Sequence, residues 1–281
     1  MRLLIFALSL LSAQCVFAAS GCDLNAIVKK AWPEGVPQGK SIIIRGESDS
    51  YSPQSAICRV WPAHPELTLA AIPLMSHEQT DYEHTGDLEL LILNSATLEV
   101  KQRLRLVDRM NDDSISIDNI ALDTARWKIT PTQTAFGLRI TQRNPSRVAP
   151  FREEVLWLYS YDNNQIHTVL NGLVVNRTHG EWDGMCAGEF DHIERTLVMV
   201  PSSGNGGYAN IRVSEKNVHT TRTISKENDC EDMEKSAKRH GYCTLMANTT
   251  LFRKSSPLYL INVAQMRCCL LYTSLMARGR R

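Results

Sequence analysis

Apolar residues recur along this chain with a period of two, the mark of strands with one buried and one wet face. Leu67 to Leu74 (LTLAAIPL) and Asp87 to Leu93 (DLELLIL) are compact apolar runs. Leu98 to Leu106 (LEVKQRLRL) alternates behind the turn Asn94 to Thr97, which predicts a hairpin with the run before it. The pattern returns at Phe136 to Thr141, Val155 to Tyr161, Ile166 to Leu170, Leu173 to Val175, Thr196 to Val200 and Tyr208 to Val213. Asp162 to Asn164 and Pro201 to Gly207 read as turns between them. Such spacing predicts an all-β fold of antiparallel sheets.

Two stretches, DLELLILNSATLEVKQRLRL and VLWLYSYDNNQIHTVL, each set an apolar inner strand, a polar turn and a more polar outer strand. That form predicts an irregular β-propeller, with a β-sandwich as the alternative because no blade motif recurs at a fixed period. One segment breaks the strand pattern. Asp229 to Gly241 carries acids first and bases last before a glycine, which predicts a short C-terminal helix packed through Met233 and Ala237. The organisation expected is a β-rich domain over 20–225 and a helix plus strand extension over 226–268.

Both ends of the chain are read apart from the fold. Met1-Arg2, the apolar run Leu3 to Leu11 and the small residues near Ala18 predict a signal peptide over 1–19, hence a periplasmic or secreted protein. The run is about half of the ~20 residues that cross a bilayer, and no later stretch is longer, so no stable membrane insertion is expected. Cys269 to Ser274 (CLLYTS) matches the translation of TGT CTC TTA TAC ACA TCT, the transposase recognition end used in preparing sequencing libraries. Residues 269–281 are therefore expected to be a non-native tail; the other reading is a genuine basic tail that contacts an acidic surface.

Without Cys15 and Cys269, six cysteines remain: Cys22, Cys58, Cys186, Cys230, Cys243 and Cys268. In an oxidising compartment they predict disulfides, and nearness along the chain favours Cys22 with Cys58 and Cys230 with Cys243. No pair outside the tail has zinc-thiolate spacing. The formal net charge of +1, with no basic run interleaved with aromatics, argues against nucleic-acid binding.

Several apparent motifs fail on inspection. Gly35 to Ser41 is one residue short of a phosphate loop, and Ser41 to Arg45 behind it reads as a strand where a helix is required. His77 to His84 begins like a zinc-peptidase helix, yet Asp81 stands where the second histidine belongs; His77, Asp81 and His84 could serve as ligands only from a loop. No nucleophile elbow occurs, and Cys186, with His179 and His192 nearby, is read as a disulfide partner. No catalytic residue is assigned.

The densest cluster of chemistry-bearing residues is His179 to Glu194. Glu181, Trp182, Asp183, Glu189, Asp191 and His192 are the candidate binding residues, with Trp182 and Phe190 as apolar anchors. Glu181, Asp183 and Asp191 could hold calcium if a looped backbone brought them together; no other cofactor is expected. Two carboxylates in one cleft could divide acid and base roles. The plainer reading is an extended segment with buried aromatics and solvated acids.

GEWDGMCAGEF at Gly180 to Phe190, ALDTARW at Ala121 to Trp127 and AFGLRIT at Ala135 to Thr141 resemble segments of a set of uncharacterised exported proteins of Gram-negative bacteria. The resemblance covers about Cys58 to Glu215. It implies a bacterial periplasmic or secreted setting and no particular activity. Two function classes follow. One is a non-catalytic, disulfide-stabilised envelope protein that binds a protein or glycan partner, in the way of an inhibitor or immunity protein. The other is an envelope hydrolase, or a calcium-dependent glycan-active protein, using residues 181–194. For the C-terminus, cloning the gene from source DNA is expected to give a reading frame that leaves this sequence after Cys268; a clone ending at Arg281 overturns that expectation.

Overall fold

The computed structural model describes residues 22–38, 41–44, 49–51, 56–76, 83–201, 207–245 and 268–279. The signal reading of 1–19 lies outside them, as do His77 and Asp81. Among the described residues one helix, α1 (Leu24–Ala31), precedes the strands. β1 (Val36–Gln38), β2 (Ser41–Ile43), β3 (Asp49–Tyr51), β4 (Ile57–Trp61), β5 (His64–Ser76), β6 (Gly86–Asn94) and β7 (Val100–Leu106) form one antiparallel sheet. Its order is β1-β2-β3-β5-β6-β7, with β4 also paired on β5. β8 (Ser116–Lys128), β9 (Thr134–Asn144), β10 (Phe151–Asp162), β11 (Gln165–Trp182), β12 (Gly188–Val200), β13 (Asn210–Ile224), β14 (Cys230–Thr244) and β15 (Cys268–Gly279) form the second, an eight-stranded meander in chain order.

The fold is all-β, and its sheets stack face to face as a sandwich. The propeller arrangement is corrected by the second sheet, whose ladder runs without a break from β8 to β15 where a propeller divides into short blades. Between the sheets, Leu69, Leu88, Leu90 and Ile92 meet Leu122, Phe136, Leu138, Val155 and Tyr159. The outer face of the first sheet is closed by α1, whose Ile27, Val28 and Ala31 pack on Ile72, Leu74, Leu91 and Leu93. Asp23 caps that helix by accepting from the Ala26 amide at 3.1 Å, and Cys22 is bonded to Cys58 of β4.

The second sheet covers itself. β11 carries an extra residue at Val175, since Glu154 pairs with Asn176 and Val155 with Val174. Such a bulge bends its strand. β12 pairs with β11 only from Gly188 to Glu194, and beyond that point it runs with β13 alone. The departing half lies on the face of β10 opposite the first sheet. There Ile211, Val213, Cys243, Leu197 and Met199 pack with Leu156, Leu158, Leu170 and Leu173. At the fork the Arg195 guanidinium donates to the Val174 carbonyl at 2.7 Å and pairs with buried Glu215 at 2.8 Å, while Arg239 reaches the other Glu215 oxygen at 3.6 Å.

Two expectations are corrected here. The helix predicted over 229–241 is strand β14, paired with β13 residue for residue from Cys230 to Thr244. Its charges suit helix ends, but it has no apolar stripe with which a helix could pack, and a short solvated helix is marginal alone. Pairing on β13 satisfies the backbone and buries Gly241 and Cys243, while Met233, expected to anchor a helix, is 53% exposed. The chain division placed at 225/226 falls in the turn between β13 and β14, two strands of one sheet.

The second correction follows from the first. Cys230 and Cys243 stand at opposite ends of an extended strand, about 40 Å apart at ~3.3 Å per residue, so no bridge joins them. Cys230 is bonded instead to Cys186. Cys243 is also disulfide-bonded, and Cys268 lies opposite it in the β14–β15 register. Peptide mapping without reduction is expected to recover Cys22 linked to Cys58 and Cys186 linked to Cys230, and no Cys230–Cys243 peptide. Replacing Cys186 and Cys230 by serine is expected to cost up to about 4 kcal/mol, read from denaturant unfolding, because a loop of this length is freed in the unfolded chain.

Candidate functional site

The segment singled out from the sequence forms the upper half of the β11–β12 hairpin. Gly180 pairs directly with Phe190, and Trp182 with Gly188. Each aromatic therefore lies beside a glycine across the ladder. A Cβ on Gly180 would fall 2.4 Å from the Phe190 ring, and one on Gly188 would fall 3.2 Å from Trp182 Cδ1. The rings fill the space that the missing side chains leave, which is why both glycines stand where they do. Arg222 of β13 caps the far side of Phe190, 5.7 Å from its centroid, and pairs with Asp232 of β14 at 2.6 Å.

The turn between the two strands is held by its own first residue. Asp183 Oδ1 accepts from the amides of Met185 at 2.8 Å and Cys186 at 2.9 Å, and the Asp183 amide donates to the Ala187 carbonyl. The Met185 amide foremost, with those of Ala187 and Cys186, holds the Asp183 carboxyl below its ordinary range. Gly184 supplies the left-handed backbone (φ 85°). The Cys186–Cys230 disulfide then ties this turn to the Ser225–Asp229 turn of the neighbouring β13–β14 hairpin. Two hairpin tips are thus bound side by side.

The six candidate residues do not converge. Glu181 and Glu189 stand opposite one another on one face of the sheet, and Asp191 lies two residues further along that face. Trp182 and His192 are on the other face, where His192 Nδ1 meets Thr178 Oγ1 at 2.9 Å. Asp183 is occupied in the turn. Alternation sends neighbouring residues to opposite faces, so a cluster dense in sequence is divided in space. Among the described residues, no group of three His, Cys, Asp or Glu side chains is placed to hold a metal ion. His84, the described member of the other proposed ligand set, faces Asp112 at 3.4 Å.

Register builds two arrangements that the sequence does not announce. Asp191 is flanked across the ladder by His179 of β11 and His219 of β13, at 3.8 and 3.1 Å. His219 Nε2 in turn meets Thr221 Oγ1 at 3.4 Å. Carboxylate, imidazole and hydroxyl in that order can relay a proton, yet the surrounding backbone amides are committed to the ladder and offer no oxyanion hole. The second arrangement is the tips themselves. Met185 is 77% exposed beside the disulfide, with Ile224 and Met233 also exposed nearby. Nine carboxylates and two cations fall within 181–191 and 221–234, although the whole chain carries +1. Only strand pairing places these two segments together.

No family model matches the chain, and neither a curated protein nor a solved structure does.

Gly180→Ala is expected to cost about 1–3 kcal/mol in urea unfolding, because the Phe190 ring must leave its seat. Glu189→Lys, by contrast, is expected to raise stability by about 0.2–1 kcal/mol, since it replaces a like-charge pair with Glu181 by an opposite one.

Proposed function

We propose that this chain is an exported binding protein of the bacterial envelope, without a catalytic role, that grips a protein partner with its paired hairpin tips in the way of an inhibitor or an immunity protein. The observation that carries this reading is Met185. A large apolar side chain stands clear of the surface on a turn fixed at one end by the Asp183 carboxylate and at the other by the Cys186–Cys230 bridge. A loop ordered before binding loses little entropy on binding, and a flexible apolar anchor ringed by charge has the make-up of an interface centre. The excess of carboxylates steers a basic partner. The signal-like residues 1–19, the disulfides and the resemblance to exported proteins support the setting.

A second reading, an envelope hydrolase acting on glycan or ester through the same region, has one observation in its favour, the Asp191–His219–Thr221 chain of hydrogen bonds. The open sheet face and the committed amides count against it.

The test compares wild-type protein with Met185→Asp in pull-downs from periplasmic extract, each shown folded by circular dichroism. A partner bound one-to-one by the wild type and lost from the variant is the expected result. Equal capture by both removes the tips from the binding surface. Turnover on a hydrolase panel that disappears in His219→Gln favours the second reading instead.

A further inference from the structure

We propose that the outer face of β12–β14 is a second binding surface, and that its ligand is an anionic glycan. This inference goes beyond the protein-binding reading and shares with it only the exported setting. β13 and β14 alternate without exception here: Ile211, Val213 and Glu215 point into the core beside Cys243, and the residues between them point out. Cross-strand register sets the outward side chains in rows. Val198, Arg212 and Tyr242 form one, Thr196, Ser214 and His240 the next, and Glu194, Lys216 and Lys238 the third.

Two features of these rows stand apart from the ion pairs that tie neighbouring strands together. Arg212 and Lys216 make no ion pair or side-chain hydrogen bond among the described residues, whereas Arg177, Arg195 and Arg222 each pair with a carboxylate on an adjacent strand. Tyr242 is 51% exposed and stands directly opposite Arg212, which has Val198 on its other side.

Together these groups describe a ligand. An exposed phenol offers an apolar face with a polar rim, which suits the mixed apolar and hydroxyl surface of a sugar ring. A guanidinium fork takes a carboxylate or a sulfate through two parallel hydrogen bonds, and Lys216 adds a point charge further along the same face. An open sheet face admits an extended chain without a cleft. Tyr242 is a single aromatic, too few for the successive stacking that single-stranded nucleic acid uses.

Affinity electrophoresis of the full chain tests this, with mobility compared in gels containing polygalacturonate, heparin, neutral dextran or no polymer. Retardation by one or both of the acidic polymers and not by dextran is expected. Arg212→Gln with Lys216→Gln should weaken that binding by at least about tenfold. Tyr242→Ser should weaken it while the charge stays the same. A control pair, Lys29→Gln with Lys30→Gln on α1, should leave it unchanged, and thermal melts should show all variants folded. Equal retardation of the Arg212/Lys216 variant and the α1 control overturns the proposal, as does stronger binding to oligo-dT than to either acidic polymer. Neither outcome bears on Met185, so failure here is separable from failure of the protein-binding reading. Sedimentation showing that the face is closed by a second copy of the chain also overturns it.

Discussion

β10 is apolar on both faces from Val155 to Tyr159, and a strand that is apolar on both faces has to be covered twice. The first sheet covers one side. The other is covered by the same sheet after it forks at β12, and that fork requires the Val175 bulge, the Arg195 contact with the Val174 carbonyl and the burial of Glu215 between two arginines. Removing one partner from such a buried pair costs about 3–5 kcal/mol, because the other is left charged and unpaired. The fork is therefore a costly place in the sheet to disturb. It is also what carries the β12–β14 strands out to where their tips and outer face meet solvent.

Charge is organised by the strand ladder. Arg139 bridges Asp123 and Glu154, Arg143 and Arg152 share Asp118, and Arg103 and Arg105 reach Glu89 and Asp87, all across the ladder. Exposed pairs of this kind add little stability singly. Their effect is to neutralise the body of the sandwich. Against that background the acidic tips and the outward cations Arg212 and Lys216 stand out, and a formal net charge of +1 conceals both.

The strands were legible because each is a compact apolar run, buried almost without a break: LTLAAIPL, DLELLIL, FGLRIT and VLWLYSY all lie inside observed strands. Val36 and Ile42, read as part of a failed phosphate loop and the strand behind it, belong to the paired β1 and β2. Two elements were missed or misread for opposite reasons. α1 is one short helix whose Asp23 cap and Ile27, Val28, Ala31 face are too brief to register as periodicity. β14 looked helical because its charges fall in helical order, and nothing local reveals that β13 waits beside it. The candidate site suffered the same limit, since Glu181, Trp182 and His192 are neighbours in sequence and lie on different faces.

What the sequence determined by itself is local: which stretches pleat, where turns form, that Cys22 and Cys58 are near enough to join, and that Gly180 to Phe190 is a distinct segment. Those follow from the preferences of adjacent residues and from short chain separations. The tertiary structure alone decided what depends on register. It chose Cys186 for Cys230, placed Asp191 between His179 and His219, and set two acidic tips side by side and two lysines face to face. Register is a property of two strands at once, fixed by packing on both faces of β10, and no window on a single strand contains it.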